Sequence, residues 1–268
     1  MTYRVYDTDN GSDYADLLDM NPVMFRQALP RRELYGSTAA LEAGLSPIEE
    51  VPDVLLQPDQ YAEAIRLSHE QQSQPIYHMY DTWRPKGTRY NQGNIGYCWT
   101  WSGTGCVMSC RALEDKDLVI LAPVSMGYLV NWANQGNYLS SFIKGAREQG
   151  ICPAVDGNFN DSRRSKTVWD AVGRRNEFQL DKVWDCRKSA MTQHCISGLC
   201  YGRSGYIAYN WWGHALELVG IRMVNGVLQW DISNSHNEPD VITLTGSRAV
   251  PDECYFFIST KLALTDAA

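Results

Sequence analysis

Nothing in these 268 residues approaches the run of roughly 18 apolar residues that a helix needs to span a bilayer. The opening stretch, Met1-Thr-Tyr-Arg-Val-Tyr-Asp, lacks the apolar core of a secretory signal. A cytoplasmic product, or one delivered inside a larger particle, is therefore expected. There is no internal repeat and no low-complexity tract. No Cys-x-x-Cys pair occurs among the eight cysteines, which removes the commonest zinc and redox spacings. Basic residues are scarce at the start: the first sixty positions hold 4 basic and 11 acidic side chains. That deficit equals the net charge of the whole chain, −7. Nucleic acid is excluded as a main partner, because phosphate binding needs clustered Lys and Arg. Arg163, Arg164, Lys166, Arg174 and Arg175 form a local exception, read as a solvated loop face.

What is present is ordinary for a globular protein: 44% hydrophobic and 21% charged residues, enough to bury a sizeable core. With no export signal, the cysteines are expected to stay mostly as thiols, although Cys195 and Cys200 stand close enough to pair in an oxidising setting. A zinc site from His194, Cys195 and Cys200 is a minor alternative.

Residues 1–57 are acidic, broken by Pro22, Pro30, Pro47 and Pro52, and read as an extended arm. A helix is expected over 59–72 after Pro58, and a central, largely buried one over 98–113. Leu139, Phe142, Ile143 and Ala146 follow the i, i+3, i+4, i+7 pattern of an amphipathic helix over 138–149, with Asn137 as N-cap and Gly150 as stop. Residues 154–181 read as a polar surface excursion, followed by a short helix near 185–196. Strands are expected at 204–210, 215–224, 227–233 and 254–259, and Asn225-Gly226 is a strong hairpin signal between the second and third. Helices first and antiparallel strands afterwards predict an α+β protein with two facing subdomains. The expected division is an acidic N-terminal extension, 1–75, and a domain over 76–268.

Two segments carry chemistry. Gln92-Gly-Asn-Ile-Gly-Tyr-Cys-Trp sets Cys98 at the start of the central helix, where the helix dipole and unpaired amides are expected to favour a thiolate. Gly213-His-Ala-Leu-Glu-Leu-Val-Gly sets His214 at the head of an apolar strand. A thiol, a base and a side-chain amide are the parts of an acyl-transfer site. A buried structural cysteine, a core histidine and a loop glutamine are the ordinary alternatives.

The block Asn91-Gln-Gly-Asn-Ile-Gly-Tyr-Cys-Trp-Thr-Trp-Ser, with His214-Ala-Leu-Glu-Leu-Val-Gly and Ile232-Ser-Asn-Ser, resembles the papain-like cysteine peptidases. The resemblance extends over roughly residues 80–260, starting near Trp83-Arg-Pro-Lys-Gly. It implies a papain-like α+β fold with the cysteine on the central helix of a helical half and the histidine in an antiparallel β half. It also implies Cys98 as nucleophile, Gln92 as oxyanion donor, His214 as base and Asn234 as the residue orienting it. A peptide or protein would be the substrate, with no metal or organic cofactor and no membrane or nucleic-acid partner. Hairpin register counted without a bulge instead sets Asn237 opposite His214, so both asparagines stand as candidates. Ile95 replaces a disulfide cysteine of the family, His236 replaces a shielding tryptophan, and Tyr97 replaces a small residue before the nucleophile. A papain-fold structural or binding component, for example of a phage virion, is the alternative, with the acidic arm as its docking segment. Hydrolysis of peptidoglycan cross-links is a third reading.

Overall fold

The computed structural model describes residues 4–20, 55–78, 91–117, 119–154, 169, 172, 175–186, 188–236 and 241–261. Numbered in chain order, the helices are α1 Gly11–Met20, α2 Tyr61–Glu70, α3 Pro75–His78, α4 Cys98–Leu113, α5 Leu139–Glu148 and α6 Met191–Cys200. The strands are β1 Val5–Asp7, β2 Leu180–Asp185, β3 Gly205–Tyr209, β4 His214–Val224, β5 Val227–Ser233, β6 Val241–Thr245 and β7 Glu253–Thr260. They join one sheet in the order β1-β6-β5-β4-β3-β7-β2. Among the described strands only the β1–β6 pairing is parallel.

Side chains alternate between the faces of this sheet, as a period of two requires. Tyr206, Ala208, Ala215, Tyr255 and Phe257 enter one core, with Trp99, Trp101 and Val107 of α4 and Phe142 and Ile143 of α5. Ile207, Tyr209, Leu216, Leu218, Cys254 and Phe256 enter a second, with Ile196 and Leu199 of α6 and Ile65 of α2. Burial on both faces explains why these strands read as near-continuous apolar runs. The apolar stripe of α5 is buried through Leu139, Phe142, Ile143 and Ala146, each large side chain contributing about 1.5–3 kcal/mol by transfer from water.

The α+β arrangement matches the expectation, and several local details differ. Asn137 is not the N-cap of α5; Tyr138 is, and the Asn137 Oδ1 accepts its amide at 2.8 Å instead. Strand β2, on the sheet edge, runs from the end of the expected surface excursion at 180–181 to residue 185, and the helix expected near 185–196 begins at Met191. The acidic start is not simply extended. β1 adds to β6, α1 follows it, and Tyr6 and Leu17 are fully buried in the second core. All eight cysteines are thiols, seven of them buried. Arg163, Arg164, Lys166 and Arg174 lie outside the described residues, whereas Arg175 donates to the Ser125 carbonyl at 3.1 Å. No described helix is long and apolar enough to cross a membrane.

Candidate active site

Cys98 is the first residue of α4 because the chain before it is held in a non-helical turn. Gly93 takes a positive φ of 55°, which glycine adopts without strain, and its amide donates to Asn91 Oδ1 at 2.8 Å. The Gly96 amide donates to Asn134 Oδ1 at 2.5 Å. Tyr97, at φ −108° and ψ 34°, is the N-cap. From Cys98 to Cys110 every residue of α4 is buried. Its small residues permit this: a Cβ on Gly103 would come within 2.4 Å of the Phe142 ring, and one on Gly105 within 2.5 Å of Glu217 Oε2.

His214 opens β4, and Asn225-Gly226, both at positive φ, turn the chain into β5 as the hairpin signal predicts. Near the turn Val224 faces Val227 and Gly220 faces Asp231. A bulge between Leu218 and Gly220 then shifts the register, so that Glu217 faces Ser233. The His214 Nε2 lies 3.0 Å from Asn234 Oδ1. The other ring nitrogen, Nδ1, is buried and makes no hydrogen bond among the described residues. Asn237, the alternative partner, lies outside the described residues.

The backbones of Ala215, Trp99 and Cys98 itself favour the charged form of the Cys98 sulfur. Ala215 directly follows His214, so the head of α4 and the head of β4 meet at this thiol. Gln92 is buried beside them. Its amide N–H donates to the Ser235 carbonyl at 2.8 Å, and Ser235 Oγ donates to Gln92 Oε1 at 2.5 Å. Gln92 Nε2 donates to the Ile95 carbonyl at 2.7 Å. A primary amide carries two donors, so one further N–H of Gln92 is left to act.

Two ring neighbours complete the surroundings of His214. The Trp212 ring meets it edge-on at 5.3 Å between centroids, and the His236 ring lies 5.1 Å away at 33°. The His236 amide donates to Asn234 Oδ1 at 3.2 Å. Ser235 has no assigned role in the sequence reading, although it stands beside Asn234, and His236 occupies the place of the shielding tryptophan. Tyr97 packs inward, its hydroxyl beside Gly127 and its ring 5.7 Å from Trp99.

Burial dominates the electrostatics. Cys98 is 4% exposed and His214 is 0% exposed. Loss of water pushes the Cys98 thiol up to about 11, against the pull of the three backbone groups. It pushes His214 down to about 3, helped by the neighbouring His236 and opposed by Asn234. His236 falls to about 4, again through burial. At the head of α4 burial and the backbone act on the thiol in opposite directions. Desolvation of the buried sulfur is the larger of the two effects.

No group of three or more His, Cys, Asp or Glu among the described residues could hold a metal ion. The zinc alternative fails on its own residues: His194 Nδ1 accepts the Trp184 indole N–H at 3.0 Å. Cys200, at the far end of α6, has its sulfur 3.8 Å from Ser68 Oγ.

The sequence matches no protein-family model and no curated protein. Solved structures do resemble it. Against the digestive procathepsin L 3 of the Tenebrio molitor larval midgut the TM-score is 0.50 at 14% identity, over 63% of this chain and 66% of that one. Xylellain, a cysteine protease from Xylella fastidiosa, gives 0.49 at 15% identity, over 66% and 84%. The Carica candamarcensis cysteine protease CMS1MS2 gives 0.43 at 16% identity, over 67% and 97%. The first of these likenesses shows the fold, which is papain-like.

Proposed function

We propose that this chain is a cysteine peptidase, or more broadly a thiol hydrolase of amide bonds, acting on a peptide or protein substrate. The observation that carries the reading is the state of His214. Asn234 holds its Nε2, its Nδ1 is buried with no bond among the described residues, and the backbone of the next residue, Ala215, favours the charged form of the Cys98 sulfur.

In this reading Cys98 passes its proton to His214 Nδ1 as the sulfur attacks the substrate carbonyl. The thiolate and imidazolium stabilise each other once formed, because opposite charges in a dry site favour both charged forms. The developing oxyanion receives the Cys98 backbone N–H and the remaining Gln92 N–H, each such donor worth roughly 3–4 kcal/mol when aimed at the new charge. The imidazolium then protonates the leaving amine, and a thioester remains on Cys98. His214 next takes a proton from water, whose oxygen attacks the thioester. The acid leaves, and the proton returns to the Cys98 sulfur. Asn234 accepts from Nε2–H throughout and so keeps the tautomer in which Nδ1 is the base.

The near-complete burial of Cys98 and His214 favours a second reading, a papain-fold component with no turnover. An electrophilic peptide probe separates the two. Covalent labelling of Cys98, found by mass spectrometry and lost in His214→Ala, is expected for the peptidase. Absence of labelling in the native protein would replace it with the second reading.

A further inference from the structure

A continuous line of contacts connects the N-terminal segment to His214. Tyr14 of α1 lies against Trp211, with ring centroids 5.2 Å apart. Trp211 stacks on Trp212 at 5.4 Å with the planes 9° apart. Trp212 then meets His214 edge-on. Stacked and edge-on pairs of this kind are directional, so displacing one ring tilts the next.

A second tie runs beside the first. Asp9 accepts from the Ser247 amide at 2.8 Å and from the Ser247 hydroxyl at 2.5 Å. Thr8 Oγ1 accepts the Arg248 amide at 3.1 Å, and the Arg248 guanidinium lies 4.5 Å over the Tyr14 ring. The loop gripped in this way grips the approach to His214 in turn. The Arg248 carbonyl accepts the Trp211 indole N–H at 3.1 Å, and the Ala249 carbonyl accepts the Tyr209 hydroxyl at 2.7 Å. Gly246, at φ 94°, allows the close approach: a Cβ there would lie 2.7 Å from Asp7 Oδ1 and Thr8 Oγ1. β1 anchors the segment to β6 by backbone pairing.

We propose that residues 4–20 are a buttress for the histidine, with Tyr14 and Trp211 as positioning residues that set the ring of His214 through Trp212. The acidic start of the chain would then be a working part of the site. The idea rests on the reading of His214 as base, because the position of a base relative to the group it deprotonates must be held to well under about 1 Å.

The test uses the full chain. Tyr14→Ala is expected to slow His214-dependent alkylation of Cys98 by iodoacetamide about tenfold, within the roughly hundredfold that a 1 Å misplacement can cost. The proton resonance of the His214 Cε1–H should move with it, and Tyr14→Phe should restore both. Asp9→Ala, which cuts the second tie without removing a ring, should reproduce the shift in smaller measure and keeps the test open if Tyr14→Ala does not fold. An unmoved His214 resonance and an unchanged alkylation rate in a folded variant would overturn the buttress. Native protein whose Cys98 reacts no differently in His214→Ala would instead overturn the catalytic reading, and the resonance alone would still decide the buttress.

Discussion

His214 and Asn234 meet at 3.0 Å because β4 carries one residue more than β5 between them. From the turn, paired positions run in step as far as Gly220 and Asp231; then Val219 is passed over and Leu218 faces Ile232. A bulge of this kind re-aims every side chain beyond it. Carried to the end of β4, the shifted register sets position 236 opposite His214, where a bulge-free hairpin would set 237. That is why the His236 ring lies against the His214 ring and Asn234 comes within reach from just beyond the end of β5.

Replacing Asn234 by Ala should lower kcat by about 10- to 100-fold with little change in KM, since the imidazole loses its orientation but the substrate contacts do not change. Steady-state kinetics on a fluorogenic peptide amide would show it. An unchanged kcat would remove the orienting role from Asn234.

Gln92→Ala should cost about 100- to 1,000-fold in kcat, the usual loss for one oxyanion donor. Ser235→Ala should cost less, about tenfold, because it frees only the Oε1 end of the same amide. Equal effects from the two, or an effect confined to KM, would contradict this division of roles.

Acid should destabilise the fold through two histidines. Both are held below their ordinary value of 6.5, His214 at about 3 and His236 at about 4. In the unfolded chain each binds a proton as pH falls through 6.5, while the folded chain does not, so stability is complete above that pH and declines below it. Each histidine adds a slope of up to about 1.4 kcal/mol per pH unit until its folded value is reached. Urea midpoints between pH 4 and 7 should therefore fall steeply, and His236→Phe should flatten the profile. An identical slope in the variant would assign the acid sensitivity elsewhere.

Gly103→Ala should destabilise by about 1–3 kcal/mol, the usual cost of overpacking, since the new methyl would collide with the Phe142 ring. Val227→Thr, at an exposed hairpin position, should stay within about 0.5 kcal/mol of the parent. Chemical denaturation of both variants separates a tight helix–helix contact from a general fragility.

Much of the architecture was legible from local signals. The helix from Cys98 to Leu113 and the strand from Val227 to Ser233 fall where the pattern of residues sets them. The Asn-Gly turn and the stop at Gly150, at φ 79°, follow from backbone chemistry that few other residues supply. The strand β6 was not expected either; β1 and β2 were missed for a common reason. Each is a short edge strand whose pairing is with residues far along the chain, β1 with 243–245 and β2 with 255–260, and no local period reports such a partner.

Left to itself, the order of amino acids settled which thiol heads a helix, which imidazole heads a strand and where the chain reverses, because these depend on neighbours a few positions away. Folding in three dimensions decided that Asn234 bonds the imidazole, that residues 4–20 add to the sheet and its second core, and that the thiol and the imidazole are both buried. Those outcomes turn on one skipped residue in a ladder and on how completely water is excluded, and both arise only when distant segments pack together.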